Sequence, residues 1–192
     1  MSSIPFYNSN HIDYINRTYP LDMSASYLMF LKHMTKDGHI LDLGCGSGRD
    51  SEYFLSQGYT VTSMDGSKEL IEHCRTYLKS TIVHETFETF KSAHLFDGIW
   101  ACASLLHVDR PNINAIVTKY IGMLKKGGVF FMSFKSLDQD FDYDGRHFTC
   151  FTPKTFKEFL HSFDHIQVLG IRESDGVQSD NMTWVSAVIK KI

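Results

Sequence analysis

Apolar residues along this chain recur in two rhythms, one near every second residue and one at helical spacing, and the two kinds of segment alternate. Strand-like runs are predicted at 39–43, 59–64, 81–84, 96–101 and 129–134. The fourth is so uniformly apolar that it reads as a central strand buried on both faces. Helical patterns fill the gaps. Asp22 and Ser24 can cap a helix whose apolar positions are Tyr27, Leu28, Phe30, Leu31 and Met34. Asp50 or Ser51 opens another, with Tyr53, Phe54 and Leu55 inward and Gly58 as its stop. Ser67 caps a third, running to about residue 79. Pro111 suits the first turn of a fourth, to about 124, and Thr152-Pro153 opens a fifth, to about 161. Residues 165–172 and 182–190 read as two further strands around a turn-rich stretch at 173–181. Strand–helix alternation ending in a strand pair predicts a doubly wound α/β sheet.

Two segments stand outside that alternation. Residues 1–35 form an N-terminal helical cover, with a short helix around 11–17 and the helix capped at 22–24. Residues 135–151 are acidic, aromatic and irregular, and read as a lid-like loop. Both could fold over a site and recognise a substrate, with Tyr7, Tyr14, Thr18, Tyr19 and Met23 in the first and Phe141, Tyr143, Arg146, His147 and Phe148 in the second, or their aromatic rings could merely fill the space beneath a long loop.

Composition narrows the function classes. A chain of 192 residues, 43% apolar and 21% charged, suits one soluble domain spanning 1–192. No apolar run approaches the roughly 20 residues of a membrane span. The first residues lack the basic and apolar regions of a signal peptide, so the expectation is a cytoplasmic protein, monomer or homodimer. A net charge of −3 offers no basic field to gather nucleic acid. The four cysteines (45, 74, 102, 150) are scattered and read as reduced thiols. Ten histidines include no H-E-x-x-H, and an apparent helix end separates His161 from His165, so no metal is expected.

The chemistry concentrates in residues 40–50, Ile-Leu-Asp-Leu-Gly-Cys-Gly-Ser-Gly-Arg-Asp. A strand enters a turn with glycine at 44, 46 and 48, and a helix leaves it, which is the arrangement of a nucleotide-type cofactor site. A dinucleotide fingerprint would place its third glycine where Arg49 stands. Asp42 beside the turn would repel a pyrophosphate. It would tolerate a nucleoside bearing an amino acid, whose ammonium can approach a carboxylate. Asp65 closes the second strand about twenty residues on, where a carboxylate can accept ribose hydroxyls; an Asx turn before Gly66 is the other reading.

The run LDLGCGSG resembles the first motif of the class I S-adenosylmethionine-dependent methyltransferases. The resemblance extends through YINRTYPLDMS, FDGIWACASLLHV, GGVFFMSFK and DGRHFT. It implies a Rossmann-like, doubly wound sheet of seven strands, mostly parallel, with an antiparallel C-terminal strand and helices on both faces. It implies S-adenosylmethionine as cofactor and S-adenosylhomocysteine as product, held by Asp42, Gly44, Cys45, Gly46, Gly48, Arg49, Asp65 and Gly66. Phe87 and Glu88, with Glu85 as the alternative, fall where the family contacts adenine, and Cys102 and Ala103 where it lines the methionine side. The Asn/Asp-Pro-Pro-aromatic signature of amino-group methylation on DNA bases or glutamine is missing.

The chain is similar to a small bacterial branch likened to the tellurite-resistance methyltransferase, which implies a small-molecule acceptor, metalloids included. Methylation of protein or RNA, a non-catalytic cofactor-binding domain and a nicotinamide oxidoreductase stay open as alternatives. His107 is the candidate base, with a purely structural histidine as its other reading. Tyr14, Arg146 and Phe148 are the candidate substrate contacts, with an Arg146–Asp144 surface ion pair as the alternative for Arg146.

Overall fold

β1 (His39–Leu43) is the strand around which the sheet is laid: Ile40 pairs in parallel with Val61 on one side and Gly98 on the other. The computed structural model describes residues 3–176 and 182–192. In chain order the elements are α1 (Ile4–Thr18), α2 (Ser24–Leu31), β1, α3 (Arg49–Ser56), β2 (Thr60–Asp65), α4 (Lys68–Arg75), β3 (Thr81–His84) and β4 (Phe96–Ala101). A short 3₁₀ turn (Leu105–His107) precedes α5 (Arg110–Gly122), β5 (Leu124–Lys135), β6 (Phe141–Tyr143), β7 (Arg146–Phe148), α6 (Pro153–Leu160), β8 (Ile166–Asp175) and β9 (Thr183–Lys191).

Seven strands form one sheet in the order β3-β2-β1-β4-β5-β9-β8. The first five are parallel, and β9 enters antiparallel between β5 and β8. The expected doubly wound sheet with its antiparallel C-terminal strand is what forms. Alternation along the strands feeds two cores, one on each face. Ile40, Trp100 and Phe131 pack with Tyr27 and Phe30 of α2 and Phe54 of α3. Leu41, Ile99 and Phe130 face the other way, onto Val117 and Tyr120 of α5 and Phe156 of α6. Parallel strands covered on both faces read as continuous apolar runs. That is why 39–43 and 96–101 are legible in the sequence; β3, an edge strand with no buried residue, also keeps the expected bounds 81–84.

Several expectations were adjusted. Leu28, expected on the inward face of α2, is 70% exposed; Tyr27 and Phe30 are the buried residues of this two-turn helix, with Met29 and Leu31 partly buried beside them. α4 stops at Arg75 rather than near 79. β5 begins at Leu124, since Leu124 pairs with Phe96 and a register shift before Gly98 absorbs the lysine–glycine stretch. The 135–151 segment contains a two-stranded hairpin, β6–β7, whose turn places Asp144 (φ 51°) and Gly145 (φ 71°) in the left-handed region that such turns require. The short helix expected at 11–17 is the second half of α1, which starts at Ile4 and bends at Asn10. The 173–181 turn lies partly outside the described residues, and β8 runs on to Asp175. Among the described residues no helix is long and apolar enough to cross a membrane.

Candidate active site

The carboxyl ends of β1, β2 and β4 open into a cavity of about 340 Å³ beneath α1. Its floor is the turn that follows β1. Met64 O draws in the amides of Gly44 (2.8 Å) and Cys45 (2.9 Å), which forces the chain to reverse at once. Gly44 and Gly46 take φ of +79° and +54°, and neither position has room for a side chain. A Cβ on Gly44 would lie 2.5 Å from Ser104 Cβ, and one on Gly46 would lie 2.7 Å from Tyr14 Oη.

Asp65, at the end of β2, braces this turn. Its Oδ2 accepts from Gly46 N at 2.9 Å and its Oδ1 from Ser67 N at 2.8 Å. The Asx-type bond of the alternative reading is therefore present, yet the carboxylate also lines the cavity. A carboxylate offers about four acceptor directions, so beside the amides of Gly46, Ser67 and Gly66 one stays free for a ligand hydroxyl. Burial pushes its carboxyl above the ordinary range, offset by the amides of Ser67, Gly46 and Gly66.

Thr86, Phe87 and Glu88 form a second wall. Their backbone is fixed from α5: Lys119 Nζ donates to Phe87 O (2.9 Å) and Glu88 O (2.8 Å), and Tyr120 Oη to Phe87 O (3.1 Å). Glu85 instead bonds the Thr89 hydroxyl and is absent from the lining. A third wall follows β4. Ala103 takes a positive φ of 50° while its amide donates to Ser133 Oγ (2.8 Å), and Ser104 Oγ donates to Leu43 O (2.6 Å).

The roof is α1. Tyr7 and Tyr14 line the cavity, Ile4 lies against Gly66, and Asn8 Oδ1 accepts from Ser67 Oγ at 2.7 Å. At its far end Thr18 O accepts from Arg49 Nη1 at 2.9 Å. No residue of α1 is fully buried, which explains the faint periodicity of this segment: the helix covers a site, not the core.

Several expected residues stand behind the cavity rather than in its lining. Asp42 is 2% exposed and accepts from Ser51 Oγ at 2.6 Å. Burial and the nearby Asp50 push its carboxyl up to about 8. Arg49 forms a two-point pair with Asp50, which also accepts from Tyr27 Oη (2.6 Å) and Trp100 Nε1 (2.7 Å). Cys45 packs with Cys74, and Gly48 abuts Tyr77. Cys102, its thiol pushed up to about 12 by burial, lies near Ser133. Phe148 is stacked on Phe141 with His107 at its edge, and Arg146 lies 3.7 Å from the Phe6 ring centroid and 3.9 Å from Asp144. The geometry thus joins Gly44, Gly46, Asp65, Gly66, Phe87, Glu88, Ala103, His107 and Tyr14 around one space, and adds Tyr7, Ser104 and Asn112. Asp50 was read only as a helix start; its Arg-Asp neighbourhood at a helix N-terminus was the available signal.

His107 lines the cavity with both ring nitrogens engaged, Nδ1 with His147 O at 2.7 Å and Nε2 with Tyr7 Oη at 2.6 Å. Burial pushes its pKa down to about 4, with Arg146 and Lys135 acting in the same direction.

A glycine floor, a carboxylate with an open lone pair at the second strand end and an aromatic–acidic third loop fit a nucleoside carrying an amino acid. Comparison with known proteins points the same way. The methyltransferase-domain family matches residues 40–128. Over those residues the chain is similar to the methyltransferase-domain family. The domain's fold is that of 1,6-didemethyltoxoflavin-N1-methyltransferase from Burkholderia thailandensis, solved with 1,6-didemethyltoxoflavin and S-adenosylhomocysteine. The TM-score is 0.82 at 20% identity, over 97% of this chain and 86% of that one. It is also that of an S-adenosylmethionine-dependent methyltransferase from Clostridium acetobutylicum, with a TM-score of 0.72 at 15% identity over 97% and 99%. In sequence the domain is 30% identical to the ubiquinone biosynthesis O-methyltransferase of Rickettsia felis over 99 residues, 49% of this chain and 40% of that protein. The match to its Coxiella burnetii (strain Dugway 5J108-111) counterpart, again at 30%, covers 51% and 44%. The matched stretch thus spans less than half the length of these curated relatives.

Proposed function

We propose that this domain transfers the methyl group of S-adenosylmethionine to a small organic acceptor held between α1 and the strand ends. One observation carries the reading. The glycine floor and Asp65 face Ile4, Tyr7 and Tyr14 of α1 across a roofed space of about 340 Å³, within the range of small-molecule sites. A helix lying over that space suits a small acceptor better than a polypeptide or nucleic acid strand.

Gly44, Gly46 and Gly66 would let the cofactor lie close to the backbone, and Asp65 would accept from its ribose. Phe87 and Glu88 would take the adenine, and Ala103 and Ser104 would border the amino-acid end. Asp42, Arg49 and Asp50 hold the turn and the roof in register from behind. S-adenosylmethionine supplies an already activated methyl group, so the protein's task is to align the acceptor and exclude water. α1 does the second: Arg49, Ser67 and His107 tie it down at Thr18, Asn8 and Tyr7.

The lining favours an organic acceptor over a metalloid one. Tyr7, Tyr14 and Phe87 border the space, while the thiols of Cys45 and Cys102 stand outside it. Titration calorimetry with S-adenosylmethionine, S-adenosylhomocysteine and NAD tests the cofactor, and NAD binding alone would overturn it. A labelled-methyl screen over metabolite extracts, tellurite, selenite and bulk RNA tests the acceptor; label confined to RNA would overturn the small-molecule reading.

A further inference from the structure

We infer that Tyr7 contacts the protonated nucleophile of the acceptor, an aromatic or enolic hydroxyl or a ring N–H, and that His107 positions Tyr7 from behind and receives its proton. The inference rests on the methyl-transfer reading of the cavity and adds to it a substrate class and two roles.

A backbone carbonyl sets the polarity of the chain of bonds. His147 O can only accept, so the proton of the neutral His107 ring sits on Nδ1, 2.7 Å away. Nε2 is therefore bare and accepts from Tyr7 Oη at 2.6 Å. Tyr7 lines the cavity, and its oxygen, which also meets the Arg146 guanidinium, would turn its remaining lone pair to a ligand there. The resting proton positions agree with this order. Burial pushes His107 down to about 4 and Tyr7 up to about 12, so at neutral pH the ring is unprotonated at Nε2 and the phenol keeps its proton. Arg146, Lys135 and His147 face His107; Arg146, Asp65, Arg17 and the Tyr14 ring face Tyr7. Arg146 favours the phenolate and stands beside both groups.

The step balances as a proton relay. The acceptor's X–H bond breaks, with its electron pair staying on X. Its proton forms a new O–H bond on Tyr7, and Tyr7's original proton moves to His107 Nε2. Nothing is oxidised or reduced, and the proton on His107 leaves to solvent when the cavity opens. Only an acceptor that still carries its proton at working pH needs this relay. A nucleophile already ionised, such as a thiolate or a metalloid oxyanion, gains nothing from it.

The test has one arm that needs no turnover. Nitrogen-15 spectra of the protein saturated with S-adenosylhomocysteine at pH 7 should show His107 neutral and protonated at Nδ1; a ring protonated at Nε2, or an imidazolium, overturns the relay. The second arm uses labelled S-adenosylmethionine with ring-substituted phenols and hydroxypyridines of graded acidity. Tyr7→Phe should lower kcat roughly 100-fold on probes that are protonated at the assay pH and leave ionised probes near wild type. His107→Gln can accept from Tyr7 and donate to His147 O without basicity, and should show the same split. S-adenosylhomocysteine affinity should be unchanged in both variants. Equal losses across the series, or a wild type that binds cofactor and methylates none of the probes, overturns the inference. Failure of the wild type to bind the cofactor overturns the underlying reading instead.

Discussion

Tyr14 Oη occupies the space in which a side chain at residue 46 would begin, 2.7 Å from the position of a Cβ on Gly46. Roof and floor of the site thus touch at a glycine whose φ is +54°. Gly46→Ala should cost about 1–3 kcal/mol in stability from the left-handed backbone alone, seen as a lower Tm. It should also weaken S-adenosylhomocysteine binding by displacing Tyr14. Adding Tyr14→Ala should relieve the steric part, so the double variant should unfold later than the sum of the two single effects requires.

Asp65→Asn replaces a carboxylate that accepts from the Gly46 and Ser67 amides on its two oxygens and, by proposal, from the ribose. An amide oxygen can keep one of those bonds, while its NH₂ opposes the other donor. S-adenosylhomocysteine affinity should fall by about 1–3 kcal/mol in calorimetry. An unchanged dissociation constant would remove Asp65 from the cofactor site.

Arg49→Ala leaves Asp50 buried with only Tyr27 and Trp100 to satisfy it. Loss of one partner of such a pair should cost about 3–5 kcal/mol in denaturant unfolding. The same change frees Thr18 O, so the end of α1 should exchange its amide hydrogens faster than the sheet does.

Asp42 gives stability a pH dependence opposite to that of a salt-bridged carboxylate. Its folded pKa of about 8 lies above the unfolded value near 4, so the folded state binds the proton more tightly. The contribution is fully present below about pH 4 and declines as pH rises toward 8. Asp42→Asn should flatten that decline in thermal melts and be the more stable protein at pH 8. A steeper decline in the variant would show that Asp42 is ionised in the fold.

Removing residues 1–18 should leave cooperative unfolding intact, because none of the three apolar clusters contains a residue of α1. Cofactor affinity should drop, since Ile4 and Tyr14 go with it.

The hairpin at 141–148 shows why some structure escaped the sequence reading. Asp144-Gly145 is a hairpin-turn dipeptide, yet the flanking three-residue strands are too short and too polar to display alternation. α1 was half seen for a related reason. A helix that packs over a ligand space needs no apolar stripe, and Tyr7, Tyr14 and Ile4 look like scattered residues until the strand ends are placed under them. Arg49 shows the converse: its position in the glycine motif suggested ligand contact, while the fold turns it onto Asp50 and Thr18.

What the sequence by itself determined was the doubly wound sheet and the glycine turn after β1. Both arise from local rules: continuous apolar runs make buried parallel strands, and glycines at fixed spacing permit the positive φ that reverses the chain after β1. What only the tertiary structure decided was the chemistry of the roof. Tyr7 and His107 are a hundred residues apart, and no local preference brings them together. Packing of α1 across the strand ends does, and the His147 carbonyl on a third element then fixes which atom carries the proton.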